Sequence, residues 1–466
     1  MPLIRTFEDL GRKYVFDANS NTILPLAEDQ WPLVREIERG VVSGEAQELL
    51  ESFNQQGYFL EAAIHKIEHP ETSAMKYHLT RKIKKLTLQV TQNCNLRCDY
   101  CVYSGVYETR AHSAKSMSLE VAKKAIDYVL ANSVDEKSLN FGFYGGEPLL
   151  ELDLIETCIS YVRSVSGSKE LTFTLTTNGT LLTCEAYERL VGLGVDVAIS
   201  LDGPRDVHDS ARKYPDGRGS FDDIIRNLSK IQAKHPDAKD KLRFMAVVNP
   251  EVSDSCLENL YTMDDIFPEY GINMAFVNDL YIDKPMVYSG ELLSKQNQER
   301  TKLLLFMLGK LGSDKVSRLV IGGRGAIELK YEQLRRIKKL PPICHPGGPC
   351  LAGAHRLFVN VDGVFYPCER VSEASEVMKI GDVDSGVSVE KANVINNIGK
   401  TTAEECKKCW AILHCAMCGA FSDDFAEFSR GKRLSQCANS KLVVEEAFKD
   451  VCFLKSRGYN FEDKAL

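Results

Sequence analysis

Short apolar runs and longer amphipathic segments alternate between residues 84 and 315. The apolar runs have the length of strands and lie at 86–90, 171–175, 197–201, 244–248 and 272–276. The segments between them place apolar residues at helical spacing, most clearly at 119–130, 152–165 and 221–231. This alternation predicts parallel β-α units, and therefore an α/β fold in this part of the chain.

The first 80 residues have a different pattern. Strand-like runs at 13–17 and 22–26 flank the turn-rich residues 18–21, which predicts a hairpin. Apolar positions at helical spacing follow at 31–37 and 46–53, and Gly40 and Gly57 interrupt them. We expect a small module of a hairpin and helices. The residues alone also allow a cap that only shields the rest of the chain.

The last third of the chain begins with a bridge and continues with a cysteine-rich segment. Helical patterns lie at 301–309 and 327–337, and Asp362-Gly363 between apolar runs predicts a β-hairpin. We expect the following boundaries: a module at 1–80, an α/β domain at 84–315, a helical bridge at 316–343, a cysteine-rich domain at 344–440 and a helical tail at 441–466.

Composition narrows the class of protein. The 466 residues are 44% hydrophobic, enough for several sizeable cores, and the net charge of −7 gives no reason to expect nucleic-acid binding. No apolar run reaches membrane-spanning length, and Met1–Arg5 does not resemble the start of a secretory signal. We therefore expect a cytoplasmic protein without a membrane partner. The 15 cysteines are grouped at ligand spacing, which favours metal ligation over disulfides.

The most informative group is Cys94, Cys98 and Cys101, which form C-x3-C-x2-C after the run 86–90. Three thiolates can hold three irons of a [4Fe-4S] cube and leave the fourth iron open to a chelating ligand. A structural zinc site normally takes four ligands, often arranged as two pairs, and so fits this spacing poorly. Buried structural cysteines are the other alternative, but the polar neighbours indicate a loop.

Polar groups follow several of the predicted strands. They are Gly145-Gly146-Glu147-Pro148, Thr176-Thr177-Asn178-Gly179 and Ser200-Leu201-Asp202-Gly203-Pro204. In a barrel the C-terminal ends of the strands meet at one mouth, so these groups are expected to share a site. Two glycines permit a close backbone approach, and Glu147 could accept hydrogen bonds from an ammonium group.

The order of these motifs after the cysteine loop resembles the radical S-adenosylmethionine (SAM) superfamily. The resemblance implies a partial (β/α)6 TIM-like barrel, SAM as cofactor, and a [4Fe-4S] cluster on Cys94, Cys98 and Cys101. It also implies a set of SAM-binding residues, with Arg212 suited to a carboxylate. The set is Gly145, Gly146, Glu147, Asn178, Ser200 and Arg212.

The cysteine-rich segment resembles the SPASM extension of that superfamily, whose members carry two auxiliary [4Fe-4S] clusters, giving three in all. The family run C-x2-C-x5-C-x3-C is here one residue shorter, C-x2-C-x5-C-x2-C. The resemblance assigns Cys344, Cys350, Cys368 and Cys418 to the first auxiliary cluster, with Cys344 the least secure because it lies outside the core motif. It assigns Cys406, Cys409, Cys415 and Cys437 to the second. A zinc ribbon is the alternative for the C-x2-C pairs.

Glu369 and four isolated cysteines lie outside these ligand sets. Glu369 directly follows Cys368, where sulfatase maturases carry an acidic residue thought to take the substrate proton; an ion pair with Arg370 is the alternative. We interpret the four isolated cysteines as structural residues; they are Cys158, Cys184, Cys256 and Cys452.

Among family members, the segments 101–107 and 110–113 with Met117 look most like maturases of cysteine-rich ribosomal peptides. The resemblance implies formation of a thioether, as in ranthipeptides and sactipeptides. It also implies a winged-helix-like N-terminal module that binds the leader of the precursor peptide, and a low-potential electron donor such as flavodoxin or ferredoxin. Sulfatase-maturase-like oxidation of a cysteine or serine, or a carbon–carbon crosslink, is the alternative reaction. A zinc scaffold and a peptide-binding chaperone are the non-enzymatic alternatives.

Overall fold

The computed structural model describes residues 1–41, 43–103, 107, 112–250, 270–282, 286–346 and 350–462. Its N-terminal module is a three-stranded antiparallel sheet in the order β1-β2-β3, followed by two helices with which it shares a hydrophobic core. The hairpin predicted from the sequence is confirmed as β2 and β3, while β1 was not foreseen. The elements are β1 (Ile4–Asp9), β2 (Arg12–Asp17), β3 (Thr22–Leu26), α1 (Gln30–Arg39) and α2 (Gly44–Gln55).

The middle of the chain is a sheet of six parallel strands with helices between them, which confirms the predicted β-α units. Before it come β4 (Lys66–Ile67) and α3 (Met75–Arg81). The strands are β5 (Lys85–Thr91), β6 (Ser138–Gly145), β7 (Glu170–Thr177), β8 (Val195–Ser200), β9 (Leu242–Val248) and β10 (Gly271–Phe276). The helices are α4 (Leu119–Ala131), α5 (Leu152–Val165), α6 (Cys184–Gly192), α7 (Arg205–Ala211) and α8 (Phe221–Lys234).

The strands of this sheet alternate between two faces. Leu86, Leu88 and Val90 of β5 pack in the main hydrophobic core. Thr87 of β5 lies on the opposite face, together with Thr174 of β7. Their hydroxyl oxygens lie 3.3 and 3.4 Å from the position that a Cβ on Gly142 would occupy, so both face the same side of the sheet. This second face lines the interior of the partial barrel and carries polar side chains.

The cysteine-rich region continues the same sheet. The elements after the barrel are α9 (Gly290–Met307), α10 (Arg318–Ile321), α11 (Gly323–Gln333), β11 (Ile343–Cys344), β12 (Leu357–Val359) and β13 (Val364–Tyr366). The hairpin predicted at Asp362-Gly363 is confirmed, with Gly363 at a φ of 83°. Its strand β12 pairs in parallel with β5, so the hairpin extends the barrel sheet at its first strand.

The chain ends in short strands and helices. They are β14 (Gly381–Asp382), β15 (Gly386–Val387), α12 (Val389–Asn396), α13 (Ala403–Cys406), β16 (Asp423–Asp424), β17 (Glu427–Phe428), α14 (Arg430–Ser435) and α15 (Cys437–Ser456). No helix in the described part of the chain is both long and apolar enough to cross a membrane.

Three helix boundaries differ from the sequence predictions. The helix expected at 301–309 begins at Gly290, because the Ser289 hydroxyl accepts a hydrogen bond from Leu292 N and caps it there. The helix expected at 327–337 spans Gly323–Gln333, and the last helix begins at Cys437 instead of 441. The division into domains otherwise stays a prediction.

The N-terminal module is docked on the cysteine-rich region through its β2–β3 turn. Asn21 Nδ2 donates to the carbonyls of Gln333 and Arg335, at 2.8 and 3.0 Å, and His414 Nε2 lies 2.8 Å from Asn21 Oδ1. Phe16 packs edge-on against Trp410. This contact fixes the module beside the C-x2-C-x5-C-x2-C run.

Candidate active site

The three-cysteine loop lies at the C-terminal end of β5. Backbone amides point at two of its sulfurs: Leu96 N lies 3.4 Å from Cys94 Sγ, and Tyr103 N lies 3.5 Å from Cys101 Sγ. Amides directed at thiolate sulfur are characteristic of iron–sulfur sites, where they stabilise the charge of the cluster. The donor set and its surroundings therefore fit a cluster.

Burial keeps the thiols of Cys94 and Cys98 protonated when no metal replaces the proton. Burial raises the pKa of Cys94 and of Cys98 to about 12. No three His, Cys, Asp or Glu side chains in the described residues converge on a point that could hold a single metal ion. A [4Fe-4S] cube does not need such a point, because each thiolate binds a different iron.

Gly145, the last residue of β6, and Gly146 let the backbone pass directly beside this loop. A Cβ on Gly145 would lie 2.2 Å from the Thr91 carbonyl oxygen, and one on Gly146 would lie 2.1 Å from that of Asn93. Gly145 also has a φ of 147°, which other residues rarely adopt. Gly146 N and Glu147 N donate to the same two carbonyls, at 2.9 and 2.8 Å. Only glycine fits at these positions.

Glu147 is fully buried, and both of its carboxylate oxygens accept hydrogen bonds from the protein. Oε1 accepts from Thr177 Oγ1 at 2.7 Å and from Leu149 N at 3.0 Å, while Oε2 accepts from Asn178 N at 2.7 Å. Burial raises the pKa of this carboxyl group, against the effect of those donors. Glu147 thus ties the ends of β6 and β7 together, and its predicted contact with an ammonium group stays a prediction.

Asn178 reaches the cysteine loop from the end of β7. Its Nδ2 lies 3.8 Å from Cys94 Sγ and donates to Asn95 Oδ1 at 2.8 Å. Ser200 is the last residue of β8 and is partly exposed. The structure therefore places Gly145, Gly146, Glu147, Asn178 and Ser200 at the ends of neighbouring strands, as expected for one mouth.

Arg212 lies under the loop in a buried network. Its Nε is 2.8 Å from Asp202 Oδ2, its guanidinium lies over the ring of Tyr100 at 5.3 Å, and the Tyr100 hydroxyl also donates to Asp202. Burial opposes ionisation of Asp202, but Arg212 outweighs it and lowers the pKa of the carboxyl group. Arg97 N and Asp99 N donate to the carbonyls of residues 213 and 211, so the loop and Arg212 are held together.

Glu369 lies near the N-terminal end of β5. Its Oε1 is 3.4 Å from Arg356 Nη1 and 4.0 Å from Arg370 Nε. Lys85, the first residue of β5, is also beside it: burial lowers the pKa of that lysine, and Glu369 opposes the effect. The ion pair that the sequence left open is therefore present in the structure, while the catalytic role stays a prediction.

A second carboxylate, that of Glu373, meets the other end of β5. Gln89 is fully buried and its Nε2 donates to Glu373 Oε1 at 2.6 Å and to the Tyr103 hydroxyl at 2.7 Å. Asn360 Nδ2 donates to Glu373 Oε2 at 3.3 Å. At about 3.3 Å per residue, Gln89 is about 13 Å along the strand from Lys85, so Glu373 is the carboxylate nearer to the cysteine loop.

Four of the C-terminal cysteines line one cavity together with Ser440 and Lys441. They are Cys406, Cys409, Cys415 and Cys437. Polar neighbours approach their sulfurs: Thr402 Oγ1 lies 3.3 Å from Cys406 Sγ, and Ser440 Oγ lies 3.7 Å from Cys415 Sγ. This set matches the one assigned to the second auxiliary cluster.

The other set is less complete. Burial raises the pKa of Cys418 and Cys350 adds to the effect; burial likewise raises the pKa of Cys368, and Cys418 adds to it. These three cysteines therefore lie near one another. Cys344 instead lies in the hydrophobic core that contains Cys406 and Cys409, and the cysteine that affects its pKa is Cys406. The structure therefore places Cys344 nearer to the second set than the sequence suggested.

Cys158, Cys184 and Cys452 pack among apolar residues, as expected for structural cysteines. Cys256 and residues 104–106 and 110–111 of the compared segments lie outside the described residues.

The sequence analysis did not identify Asp202, Gln89 and Glu373 as site residues. Asp202 had a usable signal, because it stands in the polar group after β8. Gln89 and Glu373 gave none, since isolated polar residues are usually exposed.

Comparison with known proteins agrees with this geometry. The model of the radical SAM superfamily matches residues 88–263. The radical SAM cyclopropyl synthase TigE of Paramaledivibacter caminithermalis is 23% identical over 52% of this chain and 53% of its own length. A serine-type anaerobic sulfatase-maturating enzyme of Bacteroides thetaiotaomicron is 32% identical over 34% of this chain and 37% of its own. The chain thus spans about half the length of these relatives or less.

A solved structure supports the fold over a longer stretch. Native anSMEcpe with bound AdoMet matches with a TM-score of 0.58 at 20% identity, covering 80% of this chain and 99% of that chain. At this identity the likeness supports the fold and leaves the substrate open.

Proposed function

Residues 88–263 match the model of the radical SAM superfamily, and on that premise we propose that this protein is a radical peptide maturase that forms a thioether in a cysteine-rich precursor peptide. The observation that carries the proposal is the meeting of the three-cysteine loop with Gly146, Glu147 and Asn178 at one barrel mouth. The family implies SAM and a [4Fe-4S] cluster on Cys94, Cys98 and Cys101.

When bound, that cluster supplies the electron that cleaves SAM into methionine and a 5′-deoxyadenosyl radical. The chain's own residues position the reactants. Arg212, held by Asp202, would grip the carboxylate of SAM, and the backbone of Gly145 and Gly146 would approach it closely. The polar barrel interior would then receive the segment of the peptide that reacts.

We further propose that the two C-terminal cysteine sets hold auxiliary [4Fe-4S] clusters. Polar groups approach two sulfur atoms of the second set, and the backbone amide of Ala420 approaches Cys418 of the first, which fits a cluster. Clusters of this kind suit a net two-electron oxidation that forms a new bond. A low-potential donor such as flavodoxin or ferredoxin would supply electrons in the cytoplasm.

The N-terminal module is proposed to bind the leader of the precursor peptide at β3. This strand pairs only with β2 in the described residues, so its outer edge is open to a further strand. Pro25 in β3 cannot donate a hydrogen bond, so its nitrogen must face that outer edge. The nitrogen of Ile23, two residues earlier, therefore also faces outward and is a donor available to the leader.

A cysteine- or serine-oxidising sulfatase maturase is the second candidate, because sulfatase-maturating enzymes of both types are among the relatives of this chain. One experiment separates the two. The protein is incubated anaerobically with SAM, dithionite and either a cysteine-rich peptide encoded beside its gene or a cysteine-containing peptide of the sulfatase type. Products are analysed by mass spectrometry before and after thiol alkylation.

Loss of two hydrogens per link, with cysteines that resist alkylation, would support the thioether reaction. Conversion of the sulfatase-type peptide alone would move the assignment to the second candidate. For the leader site, Ile23→Pro is expected to weaken leader binding measured by fluorescence anisotropy without interrupting the β2 ladder. Because Ile23 also packs against a hydrophobic core, thermal unfolding of the variant is measured beside it. Equal affinity for the leader would favour the interpretation of the module as a cap.

A further inference from the structure

Arg433 is a buried cation without a carboxylate partner among the described residues. Its side chain is fully buried, and it is the largest fully buried side chain of the described chain. The ion pairs of the described residues include none to Arg433. Burying a charge in this way costs several kcal/mol unless an opposite charge lies nearby. We therefore expect a negative charge beside Arg433 that does not come from these ion pairs.

The hydrogen bonds of Arg433 do not supply that charge. Nη1 donates to the carbonyls of Met417 and Cys418 at 3.3 and 3.4 Å, and Nη2 donates to Met417 O at 3.4 Å. The Nε is buried and has no hydrogen-bond partner in the structure. Three long bonds to neutral carbonyls leave most of the positive charge uncompensated.

The Arg433 side chain reaches residues of both auxiliary sets. Its Nη1 donates to the carbonyl of Cys418, which belongs to the first set. Nη1 and Nη2 both donate to the carbonyl of Met417, which lines the cavity of the second set together with Cys415 and Cys437. The Arg433 guanidinium thus lies between the two sets.

We propose that Arg433 is the counter-charge shared by two anionic iron–sulfur clusters and that it raises the reduction potential of both. This inference rests on the auxiliary clusters of the proposed function. On a cube of charge +2, four thiolates give a net charge of −2 and three give −1, and reduction adds one further negative charge. A fixed cation nearby stabilises the reduced form more than the oxidised form. Arg433 acts here as a positioning residue, since it touches neither SAM nor the peptide.

The test is a potentiometric titration followed by electron paramagnetic resonance. It uses the full chain in which Cys94, Cys98 and Cys101 are replaced by alanine, so that only the auxiliary clusters are observed. Arg433→Met and Arg433→Lys are compared with Arg430→Met. Arg430 is the matched control because it lies on the same helix, is exposed, and pairs with Glu405.

Arg433→Met is expected to lower the midpoint potential of each cluster by at least about 59 mV. That shift corresponds to a tenfold change in the equilibrium constant of a one-electron reduction. The potentials of Arg433→Lys are expected to lie closer to those of the parent chain. The potentials of Arg430→Met are expected to equal those of the parent chain. Equal potentials in Arg433→Met and Arg430→Met, at equal iron content, would overturn the inference alone. A parent chain without auxiliary iron would overturn the proposed clusters as well.

If Arg433→Met loses its iron, the comparison is made with Arg433→Lys. Lysine keeps the positive charge but lacks the planar fork of the guanidinium. Retained iron and near-parental potentials in Arg433→Lys would support the counter-charge. Loss of iron from both variants would overturn it, because the shape of the side chain and not its charge would then be what the site requires.

Discussion

Arg212 and Asp202 form an ion pair in which both side chains are buried. Nε lies 2.8 Å from Oδ2, and the two side chains are 9% and 3% exposed. Asp202 Oδ1 also accepts from Val247 N at 2.9 Å, so the carboxylate is fixed from β9 as well. An arginine held in this way has its position set before a ligand arrives, which lowers the entropic cost of gripping a carboxylate.

Asp202→Asn should therefore weaken both the fold and SAM binding. Removing one partner leaves the Arg212 charge buried and unpaired, which costs about 3–5 kcal/mol of unfolding free energy. Urea unfolding measures that loss, and calorimetry measures the SAM affinity. The control is Asp222→Asn, which breaks an exposed pair with Arg205 and should cost less than about 1 kcal/mol. Equal stability of the two variants would contradict the role of the pair.

Glu369→Gln is expected to spare formation of 5′-deoxyadenosine and to slow formation of the peptide product. Loss of a general base typically costs about 10²–10⁴-fold in rate. Glu373→Gln is the matched comparison, since Glu373 is the other carboxylate beside β5 and is nearer to the cysteine loop. Both products are quantified by liquid chromatography. If Glu373→Gln slows formation of the peptide product and Glu369→Gln does not, Glu373 would be the general base.

Cys344→Ala should retain more iron than Cys368→Ala. Cys368 lies with Cys418, whereas Cys344 lies beside Cys406 at a set that already has four thiols. We expect Cys368→Ala to lose about four irons per chain, one cube, and Cys344→Ala to lose fewer than two. Iron and sulfide analysis after anaerobic reconstitution checks this. A full loss in Cys344→Ala would restore the assignment of Cys344 to the first cluster.

The sequence was most informative where local patterns carry the signal. Strand and helix periodicity predicted β5 and β7 to β10, and the turn chemistry of Asp362-Gly363 predicted the second hairpin. The cysteine spacing and the glycines at 145 and 146 predicted the mouth of the barrel, because close backbone approach requires glycine wherever it occurs.

The sequence was least informative about contacts between distant segments. Glu373 meets Gln89 across 284 positions, and His414 meets Asn21 across 393, so no local pattern could indicate either pair. Arg433 illustrates the same limit, because an arginine in a stretch with Lys432 and Arg430 looks like part of an exposed basic face. Its burial depends on how the cysteine-rich segment folds around it.

His208 predicts how stability depends on pH. It is fully buried; Asp202 N donates to its Nδ1, and its Nε2 lies 2.9 Å from Ser220 Oγ. Ser220 itself donates to the Arg212 carbonyl, so it accepts from His208, which is therefore neutral with the proton on Nε2. Burial lowers the pKa of His208 to about 4, and Arg212 adds to the effect.

The unfolded chain protonates this histidine near pH 6.5, whereas the folded chain resists protonation down to about pH 4. The contribution of His208 to stability is therefore complete above about pH 6.5 and falls as the pH is lowered, by about 1.4 kcal/mol per unit and about 3 kcal/mol in all. Urea unfolding at several pH values should show a shallower slope for His208→Gln than for the parent chain. His235→Gln is the control, because that histidine is partly exposed and pairs with Glu188. Parallel curves for the parent chain and His208→Gln would show that His208 is not the group that titrates.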